Sequence, residues 1–443
     1  MKGISDVMQN KIDFVNTPVV DVVNGIIIAA AKAGASDIHF DHQDHSLKVR
    51  IRIDGILNDY ADIPNEVKNN VITRIKILSG MNITETRLPQ DGAIKTNLGG
   101  MDLDMRVSSL PTKKGEKIVI RILDYSRSMQ GIEYLFFSED NYKKILKMIS
   151  EPNGIILVTG ATGSGKSTTV YSFLQKLNVK GTNLITVEDP VEMDIEGINQ
   201  VQVNSDIGLD FATVLRSILR QDPNVIMIGE IRDSETAQIA VRASITGHLV
   251  LSTLHTNNSL TTIERLLDME VERYLLASAL SGIVSQKLAR KLCDKCKKVR
   301  ATTPYEKEMF RKFLDMDVNQ VYEAVGCSEC ASGYHGRIAL QEVLLISPDI
   351  RDAINARVPK AKLRELVYGS DVITLLQDGL YKVMAGLTSI EEVIKLTEAD
   401  DEVNAEEKIK NMKAKQIRCH SSAWLLKCRN FRKQFCSQNI WMH

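Results

Sequence analysis

The sequence contains no apolar run of the roughly 18–20 residues that a membrane-spanning helix requires. Its longest candidate, VVNGIIIAAA at 22–31, lies between Asp21 and Lys32. The polar residues 1–16 carry no cleavage pattern of a secretory signal peptide. These absences favour a cytoplasmic protein and leave peripheral docking onto a membrane open.

A basic excess is also lacking, because 56 Lys and Arg residues balance 56 Asp and Glu residues. The balance is uneven: residues 408–443 hold nine basic and no acidic residues, which leaves 47 basic against 56 acidic residues in 1–407. Proteins that grip nucleic acids usually carry a basic working surface. The acidic body therefore argues against nucleic acid as the main partner.

Aromatic residues are few, at 5 % of the chain, and both tryptophans lie at 399–443 together with three of the seven cysteines. This segment shows no apolar periodicity. We interpret it as a basic tail outside the folded body, either disordered or foreign.

The N-terminal part of the chain mixes helix and strand patterns. Residues 1–123 are predicted to form a small α+β domain, with helices at 19–34 and about 65–80 and strands at 36–40, 46–55, 101–111 and 116–123. The polar segment DYSRSMQG at 124–131 has the composition of a linker.

Between residues 132 and 290, buried strands alternate with helices, which is typical of a parallel sheet covered on both faces. We predict strands at 155–159, 183–189, 224–230 and 248–254, and helices at 166–178, 211–220, 233–246 and 259–267. The fold class is therefore α/β. A cysteine-bearing subdomain at 291–346 and a helical region at 347–398 complete the predicted fold.

The segment GATGSGKS, Gly160–Ser167, follows a buried strand and opens a helix, and it matches the phosphate-loop pattern G-x-x-x-x-G-K-[ST]. Backbone N–H groups of such a loop converge on phosphate oxygens, helped by the positive end of the helix. Lys166 would neutralise the β- and γ-phosphates of ATP, and Ser167 would ligate Mg²⁺. The alternative is a glycine-rich turn with a chance lysine. The predicted nucleotide-contacting residues are Gly160, Ala161, Thr162, Gly163, Ser164, Gly165, Lys166, Ser167 and Thr168.

Carboxyl groups follow two neighbouring strands of the predicted sheet. Glu188, Asp189 and Glu192 lie in VEDPVE, and Glu230 ends the strand NVIMIGE. Because strand carboxyl ends line the ligand crevice of open α/β sheets, these groups can face magnesium or the attacking water. A strand end that turns on Asp-Pro is the alternative for VEDPVE, and the main general base, Glu188 or Glu230, is left open.

His255 follows the strand HLVLSTL and precedes a polar loop, where its imidazole could sense the γ-phosphate. An ordinary surface or core histidine is the alternative.

Two C-x-x-C pairs, Cys293/Cys296 and Cys327/Cys330, indicate a structural zinc site. In a cytosolic chain, paired knuckles of this kind favour tetrahedral zinc over disulfides. Four thiolate ligands leave no position for a substrate. Four independent reduced cysteines are the alternative.

Together these residues resemble the ATPase family that powers type II secretion and type IV pilus assembly, over roughly residues 17–398. The resemblance is carried by ASDIHF, RIRIDG, RLPQDG, GATGSGKSTTVYSFL, ITVEDPVE, LRSILRQDPNVIMIGEIRDSETAQIAVRASITGHLVLSTLHTNN and the two cysteine pairs. In that family EDPVE corresponds to an aspartate box, IMIGEIRD to an atypical second nucleotide motif, and GHLVLSTLH to a histidine box, which favours a functional His255.

The resemblance implies a RecA-like core and a homohexamer with ATP sites near subunit junctions, which arginines of the small domain reach. Arg106 and Arg121 are candidates, although each could belong to a solvated strand face. Arg216 and Arg220, four apart on one helix, could line the same pocket. Long family members carry an extra docking domain ahead of ASDIHF, whereas residues 1–34 precede it here.

The expected function is a motor ATPase that uses ATP, Mg²⁺ and structural Zn²⁺, with Lys166, Glu188, Glu230, His255, Arg106 and Arg121 as the candidate catalytic residues. It would act on an inner-membrane platform protein that assembles pilin-like subunits, and it would be peripheral to the cytoplasmic membrane. Retraction motors of the family generally lack zinc knuckles, which favours assembly or secretion. A retraction motor, a nucleic-acid translocase and an inactive nucleotide-binding scaffold are the alternatives.

Overall fold

The computed structural model describes residues 13–123, 131–330, 332–369 and 371–397. The predicted linker, apart from Gly131, and the predicted tail at 399–443 lie outside these ranges.

The N-terminal domain is a six-stranded antiparallel sheet with two helices packed on it, in the strand order β3-β2-β1-β6-β5-β4. Apolar residues of both helices and of the alternating strand positions form one buried core. The predicted elements are confirmed, and the positive φ of Gly34 (70°) follows the end of the first helix. The elements are α1 (Val19–Lys32), β1 (Ala35–His42), β2 (Ser46–Ile53), β3 (Ile56–Pro64), α2 (Asn65–Leu78), β4 (Gln90–Leu98), β5 (Met101–Thr112) and β6 (Gly115–Leu123).

The two edge strands, β3 and β4, are not among the predicted elements. Both are largely solvent-facing, so their apolar alternation is weak. β4 also contains Gly92, which argues against a strand on propensity. The structure supplies its reason: a Cβ at Gly92 would lie 2.3 Å from the Ser79 carbonyl oxygen at the end of α2.

The second sheet has seven strands in the order β15-β12-β7-β11-β10-β8-β9, parallel except for the β12–β15 pair. The four predicted strands are its β7, β8, β10 and β11, and the predicted α/β class is confirmed. The strands are β7 (Gly154–Thr159), β8 (Leu184–Glu188), β9 (Asn199–Gln202), β10 (Val225–Ile228), β11 (Leu249–Leu254), β12 (Leu280–Leu292) and β15 (Tyr334–Leu345).

Helices cover both faces of this sheet. Two of them enclose one apolar core, and the others enclose a second core on the opposite face. The four predicted helices are confirmed to within a few residues. The helices are α3 (Glu139–Ile149), α4 (Lys166–Leu177), α5 (Phe211–Ile218), α6 (Ser234–Ile245), α7 (Ser259–Asp268) and α8 (Arg273–Ala279).

The C-terminal part contains a two-stranded sheet and a cluster of helices that pack on β12 and β15. Because β15 pairs with β12 from Gly282↔Leu345 to Leu292↔Tyr334, this strand of the predicted subdomain at 291–346 belongs to the central sheet. The elements are β13 (Lys298–Ala301), α9 (Pro304–Leu314), β14 (Gln320–Glu323), α10 (Pro348–Asn355), α11 (Lys360–Tyr368), α12 (Leu375–Met384) and α13 (Ile390–Thr397).

Across the four described ranges, none of the helices has the length and apolar character needed to span a bilayer.

Candidate functional site

The loop between β7 and α4 forms a cradle at the carboxyl edge of the central sheet. Gly165 has a φ of 88°, a backbone conformation that side chains disfavour. At Gly160, a Cβ would lie 2.4 Å from the Gln286 carbonyl oxygen on β12, so only glycine fits. Ala161, Thr162 and Gly163 are exposed at the tip of the loop.

Lys166 opens α4, and its side chain folds back into this cradle. Its ammonium donates to the carbonyl oxygens of Gly160 (3.0 Å) and Ala161 (3.1 Å), and the residue is only 9 % exposed. Burial lowers the pKa of Lys166, which the nearby charges of Glu230 and Glu192 partly oppose. The ammonium thus donates to neutral carbonyl groups, and a phosphate oxygen would be a stronger acceptor for it.

Ser164 also indicates that the loop binds a phosphate. Its hydroxyl is buried, and among the described residues it has no hydrogen-bond partner. A buried polar atom of this kind calls for a missing partner, and a phosphate oxygen in the cradle would supply one. The loop therefore fits a nucleotide phosphate.

The donor set beside the cradle also fits Mg²⁺, which prefers oxygen ligands. Ser167 supplies a hydroxyl in the first turn of α4. The negative charges of Glu230 and Glu192 stabilise the charged form of Lys166, which makes their carboxyl groups the candidate oxygen ligands.

Glu230 follows β10 and forms a polar cluster with Arg232 and His255. Its carboxylate accepts from Arg232 Nη2 (2.5 Å), and its Oε2 lies 3.3 Å from His255 Nε2. Burial alone would raise the pKa of Glu230, but the hydrogen bond and charge of Arg232, aided by His255, leave it below its usual value. Arg232 Nη1 also lies 3.7 Å from Asp189. Glu230 is thus an ionised, partly accessible acceptor beside the cradle.

Glu188, at the end of β8, is in contrast buried and fully hydrogen-bonded. Its carboxyl group accepts from Thr186 Oγ1 (2.6 Å), from Gln200 Nε2 (3.0 Å) and from the Tyr171 hydroxyl on α4. Burial and the neighbouring Glu188 raise the pKa of Tyr171 well above its usual value. Glu188 therefore ties α4 to the segment after β8.

Arg106 and Arg121 lie directly opposite each other on β5 and β6, so they share one face of the N-terminal sheet. Arg106 Nη2 donates to the carbonyl oxygen of Val191 (3.1 Å), next to Glu192. Arg121 Nε donates to Asp37 Oδ1 (3.0 Å). The N-terminal domain of the same chain thus already contacts the VEDPVE segment, and nucleotide contact by either arginine remains a prediction.

Arg216 and Arg220 lie on or next to α5, and both form side-chain contacts within this part of the chain. Arg216 pairs with Glu235 on α6, and Arg220 donates to the Arg216 carbonyl oxygen (2.8 Å) and to Ser217 Oγ (3.1 Å). Their predicted place in the nucleotide pocket has no support from these contacts and remains a prediction.

The four cysteines meet because β12 and β15 pair. Cys293 follows β12 and Cys330 precedes β15, where Leu292↔Tyr334 closes the ladder. The sulfur atoms all lie within 4.8 Å of one another, with Sγ–Sγ distances of 3.9 Å (Cys293–Cys327), 3.7 Å (Cys296–Cys330) and 3.6 Å (Cys327–Cys330). Tetrahedral zinc with Zn–S bonds of about 2.3 Å requires sulfur separations of about 3.8 Å. The cluster fits a Cys₄ zinc ion.

Gln286, Tyr171 and Arg232 are not among the residues predicted from the sequence. Gln286 lies in SGIVSQKL, where a polar residue inside an apolar strand could have drawn attention. Tyr171 and Arg232 left no comparable signal, because their roles depend on partners from other elements.

Comparison with known proteins agrees with this site. The model of the family "Type II/IV secretion system protein" matches residues 15–395. The type II secretion system protein E of Pectobacterium carotovorum is 44 % identical over 386 residues, or 87 % of this chain and 77 % of that protein. The type IV pilus assembly ATPase PilB of Pseudomonas aeruginosa is 43 % identical over 385 residues, or 86 % and 68 %.

A solved structure shares the fold. The crystal structure of the pilus retraction motor PilT with bound ADP superimposes with a TM-score of 0.57 at 26 % identity, over 86 % of this chain and 98 % of that one. The resemblance noted in the sequence is thereby confirmed, together with the α/β P-loop fold. With a matching model over most of its length and relatives above 40 % identity, this chain belongs to the type II/IV secretion system ATPase family.

Proposed function

We propose that this chain is an ATP-hydrolysing motor that works as a homohexamer and drives assembly of a type IV pilus or a type II secretion pseudopilus at the cytoplasmic membrane. Its partner would be an inner-membrane platform protein, so that membrane association is peripheral. Relatives named for secretion and for pilus assembly, at 42–46 % identity, support assembly over retraction.

One observation carries the hydrolytic activity. The Lys166 ammonium is buried in the glycine cradle, where it donates to two carbonyl oxygens. It lies in the same loop as the Ser164 hydroxyl, which has no hydrogen-bond partner among the described residues. The negative charge of Glu230 stabilises the charged form of Lys166. A buried ammonium and a buried hydroxyl in a glycine loop are donors suited to phosphate oxygens, and Glu230 supplies an ionised carboxylate in the same region.

The chemistry follows from these groups. The Lys166 ammonium would leave the Gly160 and Ala161 carbonyl oxygens to bind phosphate oxygens of ATP. Glu230 would accept a hydrogen bond from the attacking water through its carboxylate, while His255 and Arg232 hold that carboxylate in place. Mg²⁺ held by Ser167 and the nearby carboxylates would offset the negative charge that develops on the phosphates.

Arginines from a neighbouring subunit would complete the site, and Arg106 and Arg121 remain the candidates. An arginine of this kind is worth about 10³–10⁵ in rate. Relative motion of the two domains would then transmit the hydrolysis step to the platform protein.

The decisive test compares two lysines of the same helix. Lys166→Ala should abolish both phosphate release and nucleotide binding by the purified chain, because the cradle loses its only buried ammonium. Lys176→Ala removes an exposed lysine at the other end of α4 (52 % exposed side chain) and should leave both unchanged. Turnover retained by Lys166→Ala would refute the site.

A cellular assay separates the remaining alternatives. Loss of an assembly motor should abolish surface filaments or secretion, whereas loss of a retraction motor should leave filaments extended. ATP hydrolysis stimulated several-fold by DNA would instead favour a translocase.

The cysteine cluster is proposed to hold one structural Zn²⁺ per chain. Metal analysis of the purified protein should give one zinc, and Cys330→Ser should lose it. Burial raises the pKa of the Cys330 thiol to about 12, so a metal ion would have to displace its proton.

A further inference from the structure

Gln286 occupies a special position on β12, the strand beside the P-loop strand. It is 1 % exposed, and both ends of its amide are used. Nε2 donates to the carbonyl oxygen of Ser164 (2.8 Å), and Oε1 accepts from Thr169 Oγ1 (2.8 Å). One side chain thus holds the phosphate loop on one side of Lys166 and the first turn of α4 on the other.

The first of these hydrogen bonds fixes a peptide plane. The Ser164 carbonyl and the Gly165 N–H belong to the same planar trans peptide, in which the two groups point in opposite directions. When Gln286 holds the carbonyl toward β12, the Gly165 N–H is directed away from β12. In a phosphate loop, such backbone N–H groups are the ligands of the anion.

The loop also packs closely on Gln286. A Cβ added to Gly165 would lie 3.1 Å from Gln286 Nε2, and one added to Gly160 would lie 2.4 Å from the Gln286 carbonyl oxygen. Two loop glycines therefore contact this one residue, which leaves the loop little room to change shape while Gln286 is in place.

We propose that Gln286 is a positioning residue for nucleotide binding, which sets the Ser164–Gly165 peptide so that the Gly165 N–H faces the phosphates. This inference rests on the proposed function, since it concerns the same nucleotide site. Gln286 acts through the loop and touches no reacting atom.

The chain provides a matched control. Gln341 on β15 pairs directly with Gln286 in the sheet register, is equally buried (0 % exposed), and donates its Nε2 to the Leu135 carbonyl oxygen (3.0 Å). Methionine at either position keeps the side-chain length and removes one donor to a backbone carbonyl and one acceptor, which serves Thr169 Oγ1 at 286 and Lys382 Nζ at 341. The Gln286 amide bonds to the phosphate loop, whereas the Gln341 amide bonds to Leu135 and Lys382.

The experiment measures the affinity of the full chain for a fluorescent ADP, together with its unfolding midpoint without nucleotide. Gln286→Met should weaken ADP binding about ten-fold, the effect of about one hydrogen bond. Both variants should lower the unfolding midpoint by similar amounts, because each loses the hydrogen bonds of one buried amide. Gln341→Met should leave the ADP affinity within about two-fold of that of the unaltered chain. Equal losses of affinity in both variants would overturn the inference.

Thr169→Val provides a second variant should Gln286→Met not fold. It removes the hydroxyl that orients the Gln286 amide and should weaken ADP binding about three-fold. Where Gln286→Met does fold, adding Thr169→Val to it should cause no further loss. Unchanged affinity in Thr169→Val would overturn the inference. If the unaltered chain binds ADP and Lys166→Ala does not, glutamine variants with unexpected ADP affinities contradict the role of Gln286 and leave the proposed function intact. If the unaltered chain binds no nucleotide, the role of Gln286 and the proposed function are both contradicted.

Discussion

Two carboxyl groups at the same edge of the central sheet have different surroundings. β8 and β10 are adjacent and parallel, with Val187 opposite Ile228, so Glu188 and Glu230 emerge as near neighbours. Glu188 is 4 % exposed and accepts from three side-chain donors. Glu230 has a 17 % exposed side chain and lies beside the Arg232 guanidinium and the His255 imidazole, and its charge acts on the Lys166 ammonium.

The difference indicates that the two carboxyl groups have different roles. A buried carboxyl group that accepts from three structural donors offers little access to water or metal unless those bonds break. A carboxylate that is partly accessible and held by charged neighbours can accept a hydrogen bond from water at little cost. The contrast favours Glu230 as the group that orients water and Glu188 as the group that fixes the VEDPVE segment on α4.

The largest expected effect comes from Glu230→Gln. It keeps the size of the side chain and removes the charge, so turnover should fall by about 10²–10⁴, the usual contribution of a positioned base. The affinity for ADP should change little, because Lys166 and the loop are intact. Single-turnover phosphate release and ADP binding measure the two quantities. A variant that retains a tenth or more of the turnover would contradict the assignment.

Glu188→Gln is the same change at the other carboxyl group and should act mainly on stability. An amide replaces one oxygen acceptor, which leaves a buried donor poorly matched at a cost of about 1–3 kcal/mol. Hydrogen exchange of the β8 amides should accelerate accordingly, while turnover stays at least about ten-fold above that of Glu230→Gln. Full stability combined with an equal loss of turnover would reverse the two roles.

Sequence patterns correctly predicted the parts of the molecule whose signal lies within a few consecutive residues. The phosphate loop, the four parallel strands around it and the two cysteine pairs each carry their signal within a few residues. The strand β12 escaped notice because SGIVSQKLARKL mixes apolar with polar and basic residues, although β7 and β15 cover it on both edges.

The choice between Glu188 and Glu230 could not be made from sequence. Each lies at the end of an apolar strand, and each has a turn-forming residue beside it, Asp189-Pro190 after Glu188 and Gly229 before Glu230. What separates them is Tyr171 from α4 and Gln200 from β9 on one side, and His255 from the end of β11 on the other. These partners come from distant parts of the chain, and only the fold brings them together.

The smallest expected effect is a shift in pH dependence in Arg232→Leu. Burial raises the pKa of Glu230, and the hydrogen bond and charge of Arg232 are the largest influences that lower it. Without the arginine, burial dominates, so the pKa of Glu230 rises and its carboxylate takes up a proton at higher pH. The acid side of the kcat profile should therefore move to higher pH, with a smaller shift in Arg232→Lys, which keeps the positive charge. A profile that stays in place or moves to lower pH would mean that turnover does not depend on the ionised form of Glu230, and the contrast with Glu188 would lose its chemical basis.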